Sequence, residues 1–294
     1  VTDGAYIQVS RNVEVTEPIY IQYFFTATSE DAFIQTRNLV IVEQGANLQL
    51  AEDFRNASNI PVQYNHVSEM VVGANATLNV AKLQLEVSNA VGVHTLEADI
   101  QRDGKFSATT ITFSSPNSGT PKAVIRNNVN ARLKGEGAHA DLNGLYFGKE
   151  NALIDNHILI DHIVPNCTSN QLYKGVLNDE ATGVFNGKIF VKPDAQKTNA
   201  FQSSKALLLS NLASINSKPQ LEIFADDVKC SHGAAIGQLD EKALFYLMAR
   251  GISKQEATQI LTYAFAHEVV DHVHSKPIRT FLCDKLKEEL NLAF

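Results

Sequence analysis

The segment from Ala225 to Gly237, ADDVKCSHGAAIG, sets two carboxylates, a thiol and an imidazole close together. Three chemistries are open to such a set: metal ligation, a nucleophile with its base, or polar groups at the end of a buried strand. LEIF just before it reads as a strand, and in an extended Cys-x-His both side chains share one face because the strand period is two. Cys230 and His232 therefore pair on one face, with Lys229 on the other. Thiolate and imidazole are the softest ligands in the chain, suited to iron or zinc. A closed site takes about four ligands, and only two are local. A nucleophile and base reading is weaker, since side chains two apart on a strand do not orient for proton transfer. Plain burial competes with both, a free cysteine being among the most buried residue types.

Other clusters fail on spacing. GVFNGK, Gly183 to Lys188, has three residues between its glycines where a phosphate loop needs four, and Ile189 stands where a magnesium-binding hydroxyl belongs. These read as turn glycines between strands. His267, Glu268 and His272 imitate a helical zinc-protease motif, but the second imidazole would have to be residue 271, which is Asp271. Two imidazoles five apart diverge by about 140° around a helix, so His272 and His274 read as solvated tail residues. Asp155, Asp161 and Asp179 keep a carbohydrate hydrolase or lyase in view, since β-helix enzymes of that class work with clustered acids. Single aspartates beside turn residues are more often turn formers.

The elements that must position these groups fall into two styles. From residue 6 to about 225, short apolar-alternating segments such as NLVIVEQ, NLQLAE, TLNVAKLQLEV and GVFNGKIFV are broken by Gly, Asn or Ser and read as strand after strand. GANLQL at Gly45, NATLNV at Asn75, GKFSAT at Gly104 and GAHADLN at Gly137 echo one another about every 30 residues. That is the length of one parallel β-helix coil of about three short strands, with a β-sandwich or propeller as the alternative. Thr198 to Leu212 reads as a short helix or an extended loop. After Gly237 the style changes to helices. Asp240 is placed as an N-cap with Gly251 past the last turn, Ser253 and Glu256 form a capping box, and Pro277 separates a last helix over about 278–290. Ala257, Ile260, Leu261, Ala264 and Phe265 fall at helical spacing, giving one sticky face for docking or internal packing.

Composition bounds the partners. At 294 residues the chain is one elongated repeat domain or two domains, and 44% hydrophobic with 19% charged residues is an ordinary globular balance. A formal net charge of -7 argues against a nucleic-acid or anionic-membrane binder and for proteins or small molecules. Cys167, Cys230 and Cys283 are odd in number and far apart, so a disulfide framework is not expected and a reducing, cytoplasmic setting is. No apolar run reaches the ~20 residues of a membrane span. The start at Val1 suggests a processed chain or a piece of a longer one.

The run YKGVLNDEATGVFNGKIFV, followed by DAQKTNAFQSSKALLLSNLASINSKPQLEIFADDVKCSHGAAIGQLDEKALFYLMARGISKQEATQILTYAFAHEVV, closely resembles the SufB/SufD family of iron-sulfur cluster assembly proteins. The match is contiguous from about Tyr173 to Val270, and Cys230-Ser231-His232-Gly233 has the form of the SufD side. Ala235 departs from the family's usual Thr. The resemblance implies a right-handed parallel β-helix over 1–237 followed by a C-terminal helical domain over 238–294, with the family's N-terminal helical region absent. It implies a non-catalytic scaffold that pairs with SufB through terminal strands and binds the ATPase SufC through its C-terminal helices. His232 becomes the candidate interface residue and iron ligand shared with the partner chain, with Cys230 beside it. No tightly bound cofactor is expected, although iron or a nascent cluster could form at the interface with SufB. A homodimer is a third alternative for the chain in isolation, since unpaired edges can pair with their own kind.

Overall fold

The computed structural model describes residues 3–26, 29, 32–56, 60–86, 90–114 and 123–292. Its strands form two sheets. The first holds β1 (Tyr6–Val9), β3 (Phe33–Val42), β5 (Val62–Val72), β7 (Ala90–Ile100), β9 (Val124–Leu133), β11 (Leu153–His162), β13 (Thr182–Val191) and β15 (Ser214–Ile223). The second holds β2 (Ile19–Phe25), β4 (Asn47–Asn56), β6 (Thr77–Glu86), β8 (Lys105–Ser114), β10 (His139–Gly148), β12 (Thr168–Leu177), β14 (Thr198–Leu208) and β16 (Val228–Gly237). The chain alternates between the sheets and the neighbours in each pair in parallel, so it winds as a β-solenoid of about seven coils. The β-helix expectation holds in that form, and neither a sandwich nor a propeller does.

The register explains the echo. Asn47 pairs with Thr77, Thr77 with Lys105, Lys105 with His139 and His139 with Thr168. Two residues before each of these paired positions the backbone takes a left-handed turn, at Gly45 (φ 69°), Asn75 (55°), Asp103 (55°), Gly137 (75°) and Asn166 (60°). Asn and Asp tolerate that region because their short polar side chains bond locally. Glycine is demanded at Gly137, where a Cβ would lie 2.2 Å from Asp103 Oδ1 of the preceding coil.

Each coil carries two strands of about ten residues rather than three short ones. The sequence hides their length because polar side chains point inward. In β5 His66 and Ser68 face the core, where Thr36 Oγ1 lies 2.7 Å from His66 Nδ1 and Ser68 Oγ 2.7 Å from His66 Nε2. Ser68 Oγ and Asn38 Nδ2 both donate to Glu52 Oε1 at 2.6 Å. Buried polar groups that find partners are tolerated in a strand interior. The same reason corrects Thr198 to Leu212: it opens as strand β14, with Gln202 Nε2 donating to Gln171 Oε1 at 2.7 Å inside the coil. Gly183 and Gly187 also lie within β13 and not in turns; a Cβ at Gly187 would meet Gln202 Nε2 at 2.4 Å.

The two sheets differ outside. β11 and β13 alternate buried and half-buried residues, as expected when one face meets solvent. In β8 and β10 both faces are buried over most of the strand. The cause is the tail: α2 (Lys254–Val270) and α3 (Lys276–Glu289), preceded by α1 (Glu241–Met248), fold back on that sheet. Val269, Val270, Val273, Ile278, Leu282 and Leu286 join Leu83, Ile111, Phe113, Leu145, Phe147 and Val176 in one apolar cluster. The caps are those the sequence signals, with Asp240 accepting from Lys242 N at 2.8 Å and a full Ser253/Glu256 capping box. Pro277 sits in the first turn of α3 instead of before it, where its missing N–H costs nothing.

Candidate functional site

Cys230 and His232 lie on β16, the last strand of its sheet. Cys230 pairs with Ala200 and His232 with Gln202, both buried residues of β14, so the two groups occupy inward positions of the final coil. Strand parity holds: they share a face, about 7 Å apart along the strand. No further coil lies above them among the described residues. Cys230 is half-buried against the apolar cluster that holds Ile189, Val191 and Ala200, and burial pushes its thiol up. His232 is exposed, as is every residue from Ser231 to Gly237. Along the paired last strand of the other sheet, β15, Ile223 is exposed, and Phe224 just beyond it is 59% exposed. Among the described residues no three His, Cys, Asp or Glu side chains converge where a metal ion would sit. The geometry is therefore a thiol and an imidazole at inward positions of a last coil that, among the described residues, no further strand covers.

The alternative sites dissolve into structural pairs. Asp155 Oδ2 accepts from Arg126 Nη1 at 3.1 Å, and His157 Nε2 lies 2.9 Å from Asp155 Oδ1. Asp161 faces Lys192 at 3.5 Å. Asp179 stands at a left-handed corner (φ 52°), where its Oδ2 accepts from Glu150 N at 3.0 Å. Each acid is held by a base or shapes a turn, so no acid pair is poised over a groove.

His272 is not a solvated tail residue. Its Nδ1 lies 3.4 Å from Asp141 Oδ2 on β10, a contact that holds the imidazole above its usual pKa despite partial burial. The sticky stripe on α2 is also partly redirected. The residues it buries are Ala257, Thr262, Ala266, Val269 and Val270, the last three packed on the sheet, while Ile260, Leu261 and Phe265 remain half-buried. Lys174 of β12 reaches up under α2, donates to Phe265 O at 2.8 Å, pairs with Glu268 and lies 4.3 Å from the Phe265 ring centroid. By contrast α1 buries nothing, and Phe245, Tyr246 and Met248 are exposed at 73%, 57% and 43%. The run LFYLM carries that patch.

The class these features define is a parallel β-solenoid with an open last coil and a helical tail folded along one sheet, presenting strand edges and an exposed apolar patch. Residues 24–265 match the SUF system FeS cluster assembly SufBD core domain. The chain belongs to the SufBD family of iron-sulfur cluster assembly proteins. It is 31% identical to the iron-sulfur cluster assembly protein SufD of Escherichia coli over 97% of this chain and 66% of that protein. It is 31% identical to an iron-sulfur cluster assembly SufBD family protein of Synechocystis, over 92% of this chain and 60% of that one. The chloroplastic protein ABCI7 of Arabidopsis thaliana is 33% identical over 93% of this chain and 58% of its own length. The chain thus spans about three fifths to two thirds of these relatives. No helix is long and apolar enough to cross a membrane among the described residues.

Proposed function

We propose that this chain is a SufD-like scaffold subunit in iron-sulfur cluster assembly, pairing with SufB through β15 and β16 and with the ATPase SufC through its helices. The uncapped final coil carries the reading. Exposed strand edges beside exposed Ile223, Phe224 and Ile236 are a template for another chain, and folds that need no partner protect such edges. A second coil end laid on β16 would cover His232 and Cys230 and could add the ligands they lack. Iron or a nascent cluster is then cargo held between two chains, with His232 as this chain's ligand and Cys230 as an accessory one. The α1 patch of Phe245, Tyr246 and Met248 supports a docking role for the start of the tail, as apolar helix faces do in grooves. ATP hydrolysis falls to SufC and this subunit is non-catalytic. On this reading 1–237 is the β-body and 238–294 the docking tail, in a cytoplasmic complex.

The test is reconstitution with SufB and SufC and comparison of wild type with His232→Ala. Retained complex but reduced iron content and cluster formation is expected. Unchanged iron and cluster yield would sink the assignment of His232, and failure of the wild-type chain to join the complex would sink the pairing. The same edges allow a homodimer when the chain is alone, which sedimentation would reveal.

A further inference from the structure

The reading above leaves a second Cys–His pair unused. Tyr263, His267 and Asp271 follow at four-residue intervals along the last turns of α2, so they stack on one face. Cys283 meets that face from the middle of α3. Its Sγ lies 3.4 Å from His267 Nε2, and His267 Nδ1 lies 3.2 Å from Asp271 Oδ2. The order thiol, imidazole, carboxylate is the one nucleophilic catalysis uses. The acid holds the proton on Nδ1, so Nε2 is free to accept from the thiol. His267 lies in the last turn of α2. The Tyr263 hydroxyl, held up to about 12 chiefly by burial and next by Cys283, shares a hydrogen bond with that thiol. Cys283 and His267 are both half-buried and not sealed, and they lie at the opposite end of α2 from α1 and its patch.

We propose that Cys283 is a reactive thiol, activated by His267 and Asp271, that exchanges with small disulfides and is thereby reversibly thiolated. The proton of Cys283 passes to His267 Nε2, and the thiolate attacks one sulfur of a disulfide R–S–S–R. The Cys283 Sγ–S bond forms as the S–S bond breaks, and its electron pair leaves on RS⁻, which takes up the proton. One disulfide and one protein thiol become one mixed disulfide and one free thiol: Cys283 is oxidised, one sulfur of the small disulfide is reduced, and that disulfide is the oxidant. Cys283 touches the reacting sulfur and is the nucleophile, His267 is its base, and Asp271 is a positioning residue.

Cys230 is the internal control: half-buried as well, with burial pushing its thiol up and a backbone hydrogen bond at Ala200 in place of an imidazole. Cys167 is buried. The full chain is mixed with the aromatic disulfide dithiobis(nitrobenzoate), and released thiolate is followed by absorbance. A fast phase is expected that survives Cys230→Ser and vanishes in Cys283→Ser. His267→Ala and His267→Gln are expected to slow it by about tenfold or more. Added free imidazole should restore part of the rate to His267→Ala, which a merely structural role would not allow. Circular dichroism of each variant checks that the fold is kept. Loss of the fast phase in Cys230→Ser instead, or an unchanged rate in both folded His267 variants, would overturn the proposal. Neither outcome depends on SufB or SufC being present.

Discussion

The outer face of β8 and β10 and the open end of β16 are both surfaces the solenoid cannot leave apolar and exposed without consequence. The chain treats them oppositely. Leu282 and Leu286 of α3 cover the first with the protein's own residues, to complete burial. The second is left with Ile236 at 52% exposure and, among the described residues, no strand beyond it. A tail long enough to seal one surface lies along the side of the solenoid and not across its end. The difference teaches that the tail seals a side of the solenoid and leaves its end free for the partner proposed above.

The largest effect that sharpens the contrast comes from truncation in each region. Leu282→Ala should cost roughly 2 to 5 kcal/mol by denaturant unfolding, the range for fully buried leucines. Ile236→Ala should cost under about 0.5 kcal/mol in the isolated chain. An equal loss at both would break the comparison by showing that the end coil is already covered. Next is the interior. Burial alone would raise Glu52, yet bonds and charge from His66, Lys82 and Ser68 hold its carboxyl down to about 2. Its contribution is full above the unfolded glutamate value and is lost as the pH falls from about 5 to about 2, an effect of roughly 3 kcal/mol. Thermal unfolding across that window should show the loss, and Glu52→Gln should flatten it. The smallest effect concerns the seam between tail and sheet. His272 is raised by Asp141, so its contribution is present below the unfolded value near ~6.5 and disappears as the pH rises through the folded one. The imidazole is 37% exposed, so the effect should be only about 0.5 kcal/mol or less. A His272→Ala variant whose stability gap stays constant between acid and alkaline buffer would exclude the ion pair.

The period of the solenoid was legible because one backbone corner repeats per coil, and a corner with positive φ selects Gly, Asn or Asp. The strand lengths were not. Residues such as His66, Glu52 and Gln202 face inward and are polar, so the alternation that marks a strand breaks where a coil interior satisfies them by hydrogen bonds. Capping signals at Asp240 and Ser253 were readable, since caps act within three residues. The pairing of Cys230 with His232 was readable for the same local reason. Cys283 and His267 lie sixteen residues apart on different helices, and only the packing of α3 against α2 joins them. Likewise nothing local to His272 signals Asp141, which approaches it from a strand 131 residues earlier.

The coil-by-coil pairing has a further consequence for motion. Each coil touches little but the one before and the one after, so cooperativity runs along a line, as in other solenoids. A middle coil is held on both sides, whereas β15 and β16 are held on one. Amide exchange should therefore be slowest around β10 and β12, beneath the helices, and fastest in β16, as end coils fray by local opening. Stacking another coil on that end would turn a terminus into an interior position. Protection of the β16 amides then becomes a gauge of assembly that needs no metal, nucleotide or activity to be read.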